Sequence, residues 1–134
     1  NDHGSDVILD EFAQLAILPA VRLIPSVRFE AFQTLLKHAS FILGNSSSGV
    51  REACVHGTPA INVGTRQARR YAHSMIIDVE PEAKAIQSAI VSAVGLKRAP
   101  TMAFGDGRSA ERFMASLYSE SLWLTPVQKV FHRS

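Results

Sequence analysis

Short apolar runs alternate along the chain with longer segments in which apolar residues recur at every third or fourth position. The short runs are rich in aliphatic and β-branched residues and predict strands at 21–24, 41–43, 60–63 and 75–79. The periodic segments predict helices at 6–15, 29–38, 50–56, 82–94 and 109–118. Thr125 and Pro126 predict the N-cap and the first residue of a short last helix. This alternation predicts an α/β fold, with a parallel sheet and flanking helices.

The second predicted strand ends at Gly44 and leads into a polar loop of small residues. A helix follows, and its N-terminus offers free backbone N–H groups and the positive end of the dipole, which attract phosphate. Ser46 and Ser47 add hydroxyl donors, and Gly49 permits close approach of a ligand to the backbone. Open α/β sheets bind ligands at the carboxyl ends of their strands. The sequence therefore predicts a phosphate site in this loop.

Two charged residues near this loop each have two interpretations. Glu52 lies in the first helical turn, where its carboxylate either complements the helix dipole or accepts hydrogen bonds from the two hydroxyls of a ribose. Arg66 follows the next strand at the same edge of the sheet, and is either a solvated side chain or a phosphate ligand. The spacing of the residues leaves both pairs of alternatives open.

Composition narrows the classes of function. The chain has 134 residues, 46% of them hydrophobic and 19% charged, which suits one globular domain. Its net charge is only +2, and the one small basic run, at 66–70, favours a phosphate-bearing small molecule over nucleic acid. No apolar run is long enough to predict a membrane span. A single cysteine, Cys54, gives no sign of a disulfide framework.

Several familiar catalytic motifs are absent from the sequence. There is no P-loop, no Gly-x-Gly-x-x-Gly segment and no Gly-x-Ser-x-Gly nucleophile elbow. The five histidines are scattered and none has metal-ligand spacing, so no metal site is predicted.

The segment from Gly44 to Gln67 resembles the signature of the UDP-N-acetylglucosamine 2-epimerase family. It reads Gly-Asn-Ser-Ser-Ser-Gly-Val-Arg-Glu and then Gly-Thr-Pro-Ala-Ile-Asn-Val-Gly-Thr-Arg-Gln, which is similar to the hydrolysing branch of the sialic acid pathway. The polar turn from Asp2 to Ser5 and the aromatic-Gly-Asp-Gly turn from Phe104 to Gly107 extend the resemblance over nearly the whole chain. The family commonly has Gly where this chain has Arg69, so a left-handed backbone there would be strained.

The resemblance implies a GT-B fold of two Rossmann-like domains with the active site between them, of which this chain supplies part of the C-terminal, UDP-binding domain. By motif position, Ser46 and Ser47 are expected to contact the diphosphate, with help from the backbone around Gly49, and Arg66 to approach the phosphates. Residues 1–107 are expected to form the partial domain. The helices of 108–134 are expected to pack toward an N-terminal domain.

The same resemblance places Glu52 at the ribose and Val27 at the uracil side. The family reaction eliminates UDP across C1–C2 of UDP-N-acetylglucosamine, and water then adds to the 2-acetamidoglucal to release N-acetylmannosamine. It needs no metal or nicotinamide cofactor. The acid and base carboxylates belong to the N-terminal domain, so no catalytic residue is assigned in this chain, and the chain alone is expected to be inactive.

Other readings of the chain remain open. It could be a non-catalytic nucleotide-binding fragment, a part of a non-hydrolysing epimerase or a GT-B glycosyltransferase, and a diacetamido-bacillosamine nucleotide is an alternative substrate. A cytoplasmic, homo-oligomeric full-length protein is the family expectation, with no nucleic acid or membrane as partner.

Overall fold

The computed structural model describes residues 5–127. Within that range the strands are β1 Ile42–Gly44, β2 Ala60–Val63 and β3 Ile76–Val79. The helices are α1 Ser5–Ala16, α2 Phe29–His38, α3 Ser47–Val50, α4 Glu52–His56, α5 Ala83–Val94, α6 Ser109–Leu117 and α7 Glu120–Trp123.

The strands form one parallel sheet in the order β1-β2-β3, as the sequence predicts. Ala60 of the central strand β2 is paired with Ile42 of β1 and with Ile76 of β3. Because successive side chains of a strand point to opposite faces, β2 builds the core on both sides. Leu36 of α2 packs with Ala53 of α4 and Ala60 on one face.

On the other face of the sheet, Ile61 packs against Ala89 and Ala93 of α5. Parallel strands are usually covered by helices on both faces, and both sides of β2 are covered here. All three carboxyl ends of the strands therefore open onto one edge of the sheet, where the loops after β1 and β2 meet.

The strand predicted at 21–24 is wrong. These residues form no ladder with the sheet in the described part of the chain, and Leu23 and Ile24 are 43% and 49% exposed. Strand propensity measures how well a side chain suits a pleated surface, and a strand also needs a neighbour that pairs with its backbone. No strand of the described residues pairs with 21–24, and the run instead borders a cavity together with Leu9 and Phe12 of α1.

The helix predicted at 50–56 begins earlier and is interrupted. Ser46 is the N-cap of α3, and its side-chain oxygen accepts from the backbone N–H of Ser48. Arg51 (φ −100°, ψ −72°) lies between α3 and α4, as the C-cap of the first and the N-cap of the second. The predicted stop at Gly57 is confirmed, with φ +65° at the end of α4. Each of the two helical segments is therefore very short, which weakens a phosphate argument based on the helix dipole alone.

The C-terminal prediction is partly wrong. Helix α6 ends at Leu117, close to the predicted boundary, but Thr125 closes α7 instead of opening a helix. Its N–H donates to the carbonyl oxygen of Leu122 and its hydroxyl to that of Ser121. The rest of the predicted last helix lies in 128–134, and most of the predicted N-terminal turn lies in 1–4, both outside the described residues.

Helices α1, α6 and α7 lie away from the core. Neither α6 nor α7 has a buried residue, and they pack mainly on each other. The predicted amphipathic helix α1 exists, but its apolar side chains Val7, Ile8 and Phe12 are exposed. The division of the chain at 107 stays a prediction. Among the described residues, no helix is long and apolar enough to cross a membrane.

Candidate functional site

The loop after β1 is held by hydrogen bonds among its serines. Ser46 Oγ accepts from the backbone N–H of Ser48 at 3.3 Å and from Ser48 Oγ at 3.0 Å. Ser46 borders a narrow crevice beside Gly44 and Gly49, whereas Ser47 borders a larger cleft. The two serines predicted at the diphosphate therefore face different spaces, and only Ser47 opens onto the larger one.

The cleft beside Ser47, here called the basic cleft, has a volume of about 220 Å³. Its lining residues are Ser47, Val50, Arg51, Gln67, Arg70 and Phe104. Two guanidinium groups and a hydroxyl are donors without an acidic neighbour in this lining. Guanidinium groups are suited to bind phosphate oxygens through paired hydrogen bonds. The basic cleft is therefore a candidate anion site.

An adjoining cleft of about 240 Å³, here called the Glu52 cleft, is lined by Phe29, Gln33, Arg51, Glu52, Val55 and Phe104. It shares Arg51 and Phe104 with the basic cleft, so the two clefts lie next to each other, and they are here called the groove. Glu52 Oε2 is buried and has no hydrogen-bond partner in the described residues. A buried carboxylate oxygen without a partner is unfavourable, so it is an acceptor available to a ligand.

Gln67 joins the loop after β2 to the loop after β1. Its Nε2 donates to the carbonyl oxygen of Asn45 at 3.1 Å, and the residue is only 4% exposed. Its Oε1 is buried and unpaired in the described part of the chain. Gln67 belongs to the Thr-Arg-Gln segment of the family signature, but no role was predicted for it from the sequence.

The arginines of the loop after β2 differ in position. Arg66 is exposed and lies outside the lining of both clefts, so its predicted phosphate contact stays a prediction. Arg69 has φ +63°, which confirms the strain expected where the family commonly has Gly. Arg70, which follows this left-handed residue, lines the basic cleft. Arg51 and Arg70 are thus the cleft arginines that sequence reasoning missed.

Phe104, the aromatic residue of the turn from Phe104 to Gly107, lines both clefts. Phe104 packs edge-to-face on Tyr71, with ring centroids 4.8 Å apart. The Tyr71 hydroxyl is 3.2 Å from the Thr101 hydroxyl. Beyond Phe104, the hydrogen bond from Arg112 and that from the backbone N–H of Arg108 hold the pKa of the Asp106 carboxyl below its ordinary value. The aromatic residue of the aromatic-Gly-Asp-Gly turn was the signal that could have identified this lining residue.

The remaining predicted site residues, Val27 and Gly49, do not line either cleft. Val27, 39% exposed, precedes α2. A Cβ at Gly49 would meet Ala60 Cβ at 3.5 Å, so the space left by the glycine lies toward the sheet. The N–H of Gly49 is bonded to the carbonyl oxygen of Ser46. The roles of Val27 and Gly49 in nucleotide binding stay predictions.

Cys54 is fully buried behind the loop, as expected of a small apolar residue, and burial raises the pKa of its thiol. In the described range, no three His, Cys, Asp or Glu side chains lie close enough together to hold a metal ion. The lining of the two clefts contains two guanidinium groups, one carboxylate and two side-chain amides.

The chain is similar to proteins of one known family. A family model described as UDP-N-acetylglucosamine 2-epimerase matches residues 1–118. A UDP-N-acetylglucosamine 2-epimerase of Neisseria meningitidis is 42% identical, over 98% of this chain and 36% of the relative. A UDP-N,N'-diacetylbacillosamine 2-epimerase (hydrolyzing) of Legionella pneumophila is 31% identical, over 84% of this chain and 30% of the relative.

A solved structure agrees with the fold. The Methanocaldococcus jannaschii UDP-GlcNAc 2-epimerase in complex with UDP-GlcNAc and UDP matches with a TM-score of 0.70 and 26% identity. The match covers 87% of this chain and 33% of that one. It confirms the predicted fold class, the Rossmann-like part of a GT-B architecture. The chain spans about a third of the length of the relatives it matches.

Proposed function

Because the family model covers most of its residues, this chain belongs to the UDP-N-acetylglucosamine 2-epimerase family, and we propose that it supplies the UDP-binding part of a hydrolysing member. The observation that carries the proposal is the groove at the carboxyl ends of the strands, where a basic cleft adjoins a cleft with an unpaired carboxylate oxygen. A nucleoside diphosphate matches this arrangement, because its negatively charged diphosphate suits the basic cleft and the hydroxyls of its adjoining ribose can donate to a carboxylate.

The diphosphate lies in the basic cleft under this proposal. Arg51 and Arg70 neutralise its charge, and Ser47 donates a hydroxyl hydrogen bond. Ser46 supports the loop as its N-cap and borders the narrow crevice, so its predicted contact with the diphosphate stays a prediction. Arg66 is exposed next to this loop, where it can reach a phosphate that projects from the cleft.

The ribose lies in the Glu52 cleft. A carboxylate accepts from vicinal hydroxyls, and Glu52 Oε2 is the buried acceptor without a partner in this cleft. Phe104 lines both clefts, so its ring covers the junction between the sugar and the phosphates. The uracil extends toward the loop that contains Val27.

This chain is expected to stabilise the leaving group, UDP. Elimination of UDP places negative charge on the β-phosphate as the bond from C1 to oxygen breaks. Positioned cations lower the energy of a transition state in which such charge develops. Arg51 and Arg70 are placed for that role, whereas removal and return of the proton at C2 and deprotonation of the water that adds to C1 belong to groups outside this chain.

Two observations favour the hydrolysing branch. The loop follows the Gly-Asn-Ser-Ser-x-Gly pattern, and two relatives carry the word hydrolyzing in their names. Those relatives are named for N,N'-diacetylbacillosamine nucleotides, so the sugar of this protein is either N-acetylglucosamine or that diacetamido sugar.

Calorimetric titration of the purified chain with UDP tests the site. Binding is expected, and Glu52→Gln should weaken it because the amide nitrogen cannot accept from a ribose hydroxyl. Glu82→Gln is the matched control, since Glu82 is also at a helix start but is exposed on α5. Equal UDP binding by the two variants would contradict the assignment of Glu52.

The reaction is tested on a full-length protein that contains this chain. Release of UDP and N-acetylmannosamine from UDP-N-acetylglucosamine is expected, followed by nuclear magnetic resonance. Formation of UDP-N-acetylmannosamine without free UDP would place the protein in the non-hydrolysing branch. The chain alone should show no turnover, and measurable turnover would refute that expectation.

A further inference from the structure

The Glu52 cleft contains a second polar atom for which the proposed function has no use. Gln33 of α2 lines this cleft together with Glu52. Its Nε2 is buried and has no hydrogen-bond partner in the described residues. An unpaired amide N–H₂ group in a folded protein is costly, and a cleft that holds one beside an unpaired carboxylate oxygen suits a ligand with adjacent acceptor and donor atoms.

His56 fixes the orientation of this amide. The Nε2 of His56 lies 2.7 Å from Oε1 of Gln33, and with the hydrogen on Nε2 the imidazole donates to that oxygen. The amide nitrogen is then the end of the side chain that has no partner among the described residues. This orientation is electrostatically favoured because the carboxylate of Glu52 lines the same space and an amide oxygen there would repel it.

We propose that Gln33 is a specificity-determining residue that donates a hydrogen bond to a ribose hydroxyl oxygen, while Glu52 accepts from the ribose hydroxyls. This inference rests on the proposed UDP site. A hydroxyl group donates one hydrogen bond and accepts others, so a carboxylate and an amide N–H₂ can satisfy it together. His56 acts through Gln33 as a positioning residue.

The consequence is discrimination between ribose and deoxyribose nucleotides. A site that hydrogen-bonds a hydroxyl rejects an analogue that lacks it, because its buried polar groups are left unpaired. With Gln33 and Glu52 on the same hydroxyls, two protein groups lose their partner when the hydroxyl is absent. Removal of Gln33 should therefore relax the discrimination in addition to weakening UDP binding.

The test is a thermodynamic cycle between the side chain and the hydroxyl. Dissociation constants for UDP, 2'-deoxy-UDP and 3'-deoxy-UDP are measured by calorimetry on the wild-type chain and on Gln33→Met. A hydrogen bond of ordinary strength predicts that UDP binding weakens roughly 2- to 10-fold in the variant. The ratio of deoxy-UDP to UDP dissociation constants should fall by a similar factor for one of the two analogues.

Controls separate this effect from a loss of structure. Gln87→Met makes the same change at an exposed position of α5 and should leave both ratios unchanged. The circular dichroism spectrum and the melting temperature of Gln33→Met should stay close to those of the wild type, which would show that the variant is folded. His56→Phe should lower the same ratio, since the amide is then free to rotate.

The outcomes distinguish this inference from the proposed function. UDP binding that depends on Glu52, with unchanged ratios for both deoxy analogues in Gln33→Met, would overturn the role of Gln33 and leave the UDP site standing. Absence of UDP binding by the folded wild-type chain would overturn both.

Discussion

Replacement of Gly57 by alanine should be the most damaging small substitution in this chain. Gly57 ends α4 with φ +65°, a left-handed conformation that costs a residue with a Cβ about 1–2 kcal/mol. A Cβ there would lie 2.7 Å from the backbone nitrogen of Pro100 and 2.9 Å from the backbone of Ala99. Main-chain atoms cannot rotate away as a flexible side chain can, so the segment at 99–100 must shift.

The expected magnitude follows from adding the two effects. Overpacking typically costs about 1–3 kcal/mol, which together with the backbone term gives roughly 2–5 kcal/mol for Gly57→Ala. A native domain has only about 5–15 kcal/mol of stability in total. At about 4 °C for each kcal/mol, the melting temperature should fall by roughly 8–20 °C.

Two other glycines separate the contributions to this loss. Gly64 has φ +74° but nothing within 4 Å of an added Cβ, so Gly64→Ala should show the backbone term alone, about 1–2 kcal/mol. Gly95 has φ −84°, and an added Cβ would meet only Ser92 O at 3.7 Å. Gly95→Ala should therefore be neutral or stabilising by about 0.4–1 kcal/mol, because alanine restricts the unfolded chain.

Urea unfolding followed by circular dichroism gives the free energies of unfolding for the three variants. The expected order of stability is Gly95→Ala above Gly64→Ala above Gly57→Ala. If Gly57→Ala were no less stable than Gly64→Ala, the close packing of 99–100 on the end of α4 would not exist in solution. The segment that carries Phe104 to the clefts would then have a different path.

Three further expectations concern single side chains. Arg69→Gly should raise the free energy of unfolding by up to about 1 kcal/mol, because glycine adopts φ +63° without strain. The control Arg66→Gly should not raise it. Equal effects of the two substitutions in urea unfolding would refute the strain at Arg69. The Cys54 thiol, buried and with a raised pKa, should react with a thiol reagent at neutral pH only at the rate of unfolding, and fast labelling of the folded chain would contradict its burial. Because the pKa of Asp106 is lowered in the folded chain, its contribution to stability is present above its ordinary value of 3.8 and is lost as pH falls through the lower folded value. The stability difference between wild type and Asp106→Asn should therefore be seen at neutral pH and vanish in acid; a difference that grows in acid would reverse the sign of the shift.

The sequence predicted what depends on local pattern. The strand at 60–63 and the helix at 29–38 were predicted with the bounds that the structure has, because their apolar periodicity and their ends are local signals. The strand at 21–24 failed because pairing with a neighbour is a property of the whole sheet. The start of α3 was missed since the N-cap role of Ser46 depends on the hydrogen bonds of one loop.

The site was predicted in its loop but not in its lining. Ser47 and Glu52, which the motif assigns to the nucleotide, both line the clefts, since both lie on the segment after β1. Phe104 and Gln33 belong to segments distant in sequence, and only the tertiary fold brings them to the same clefts. Arg70 could not be assigned because the direction of its side chain depends on the left-handed backbone of Arg69. The sequence indicated only that such a backbone would be strained at Arg69.

The distribution of unpaired polar atoms argues that the groove is a binding site. In the described residues, the buried side-chain atoms without a hydrogen-bond partner are Gln33 Nε2, Glu52 Oε2 and Gln67 Oε1. Each belongs to a residue that lines one of the two adjoining clefts, and none belongs to the packed layers on either side of β2. Unpaired buried atoms destabilise the chain, and these three would gain partners from a ligand with complementary donor and acceptor atoms. A ligand that pairs with these atoms would remove a destabilising feature of the free protein in addition to making its own contacts. Binding in the groove would therefore raise the free energy of unfolding.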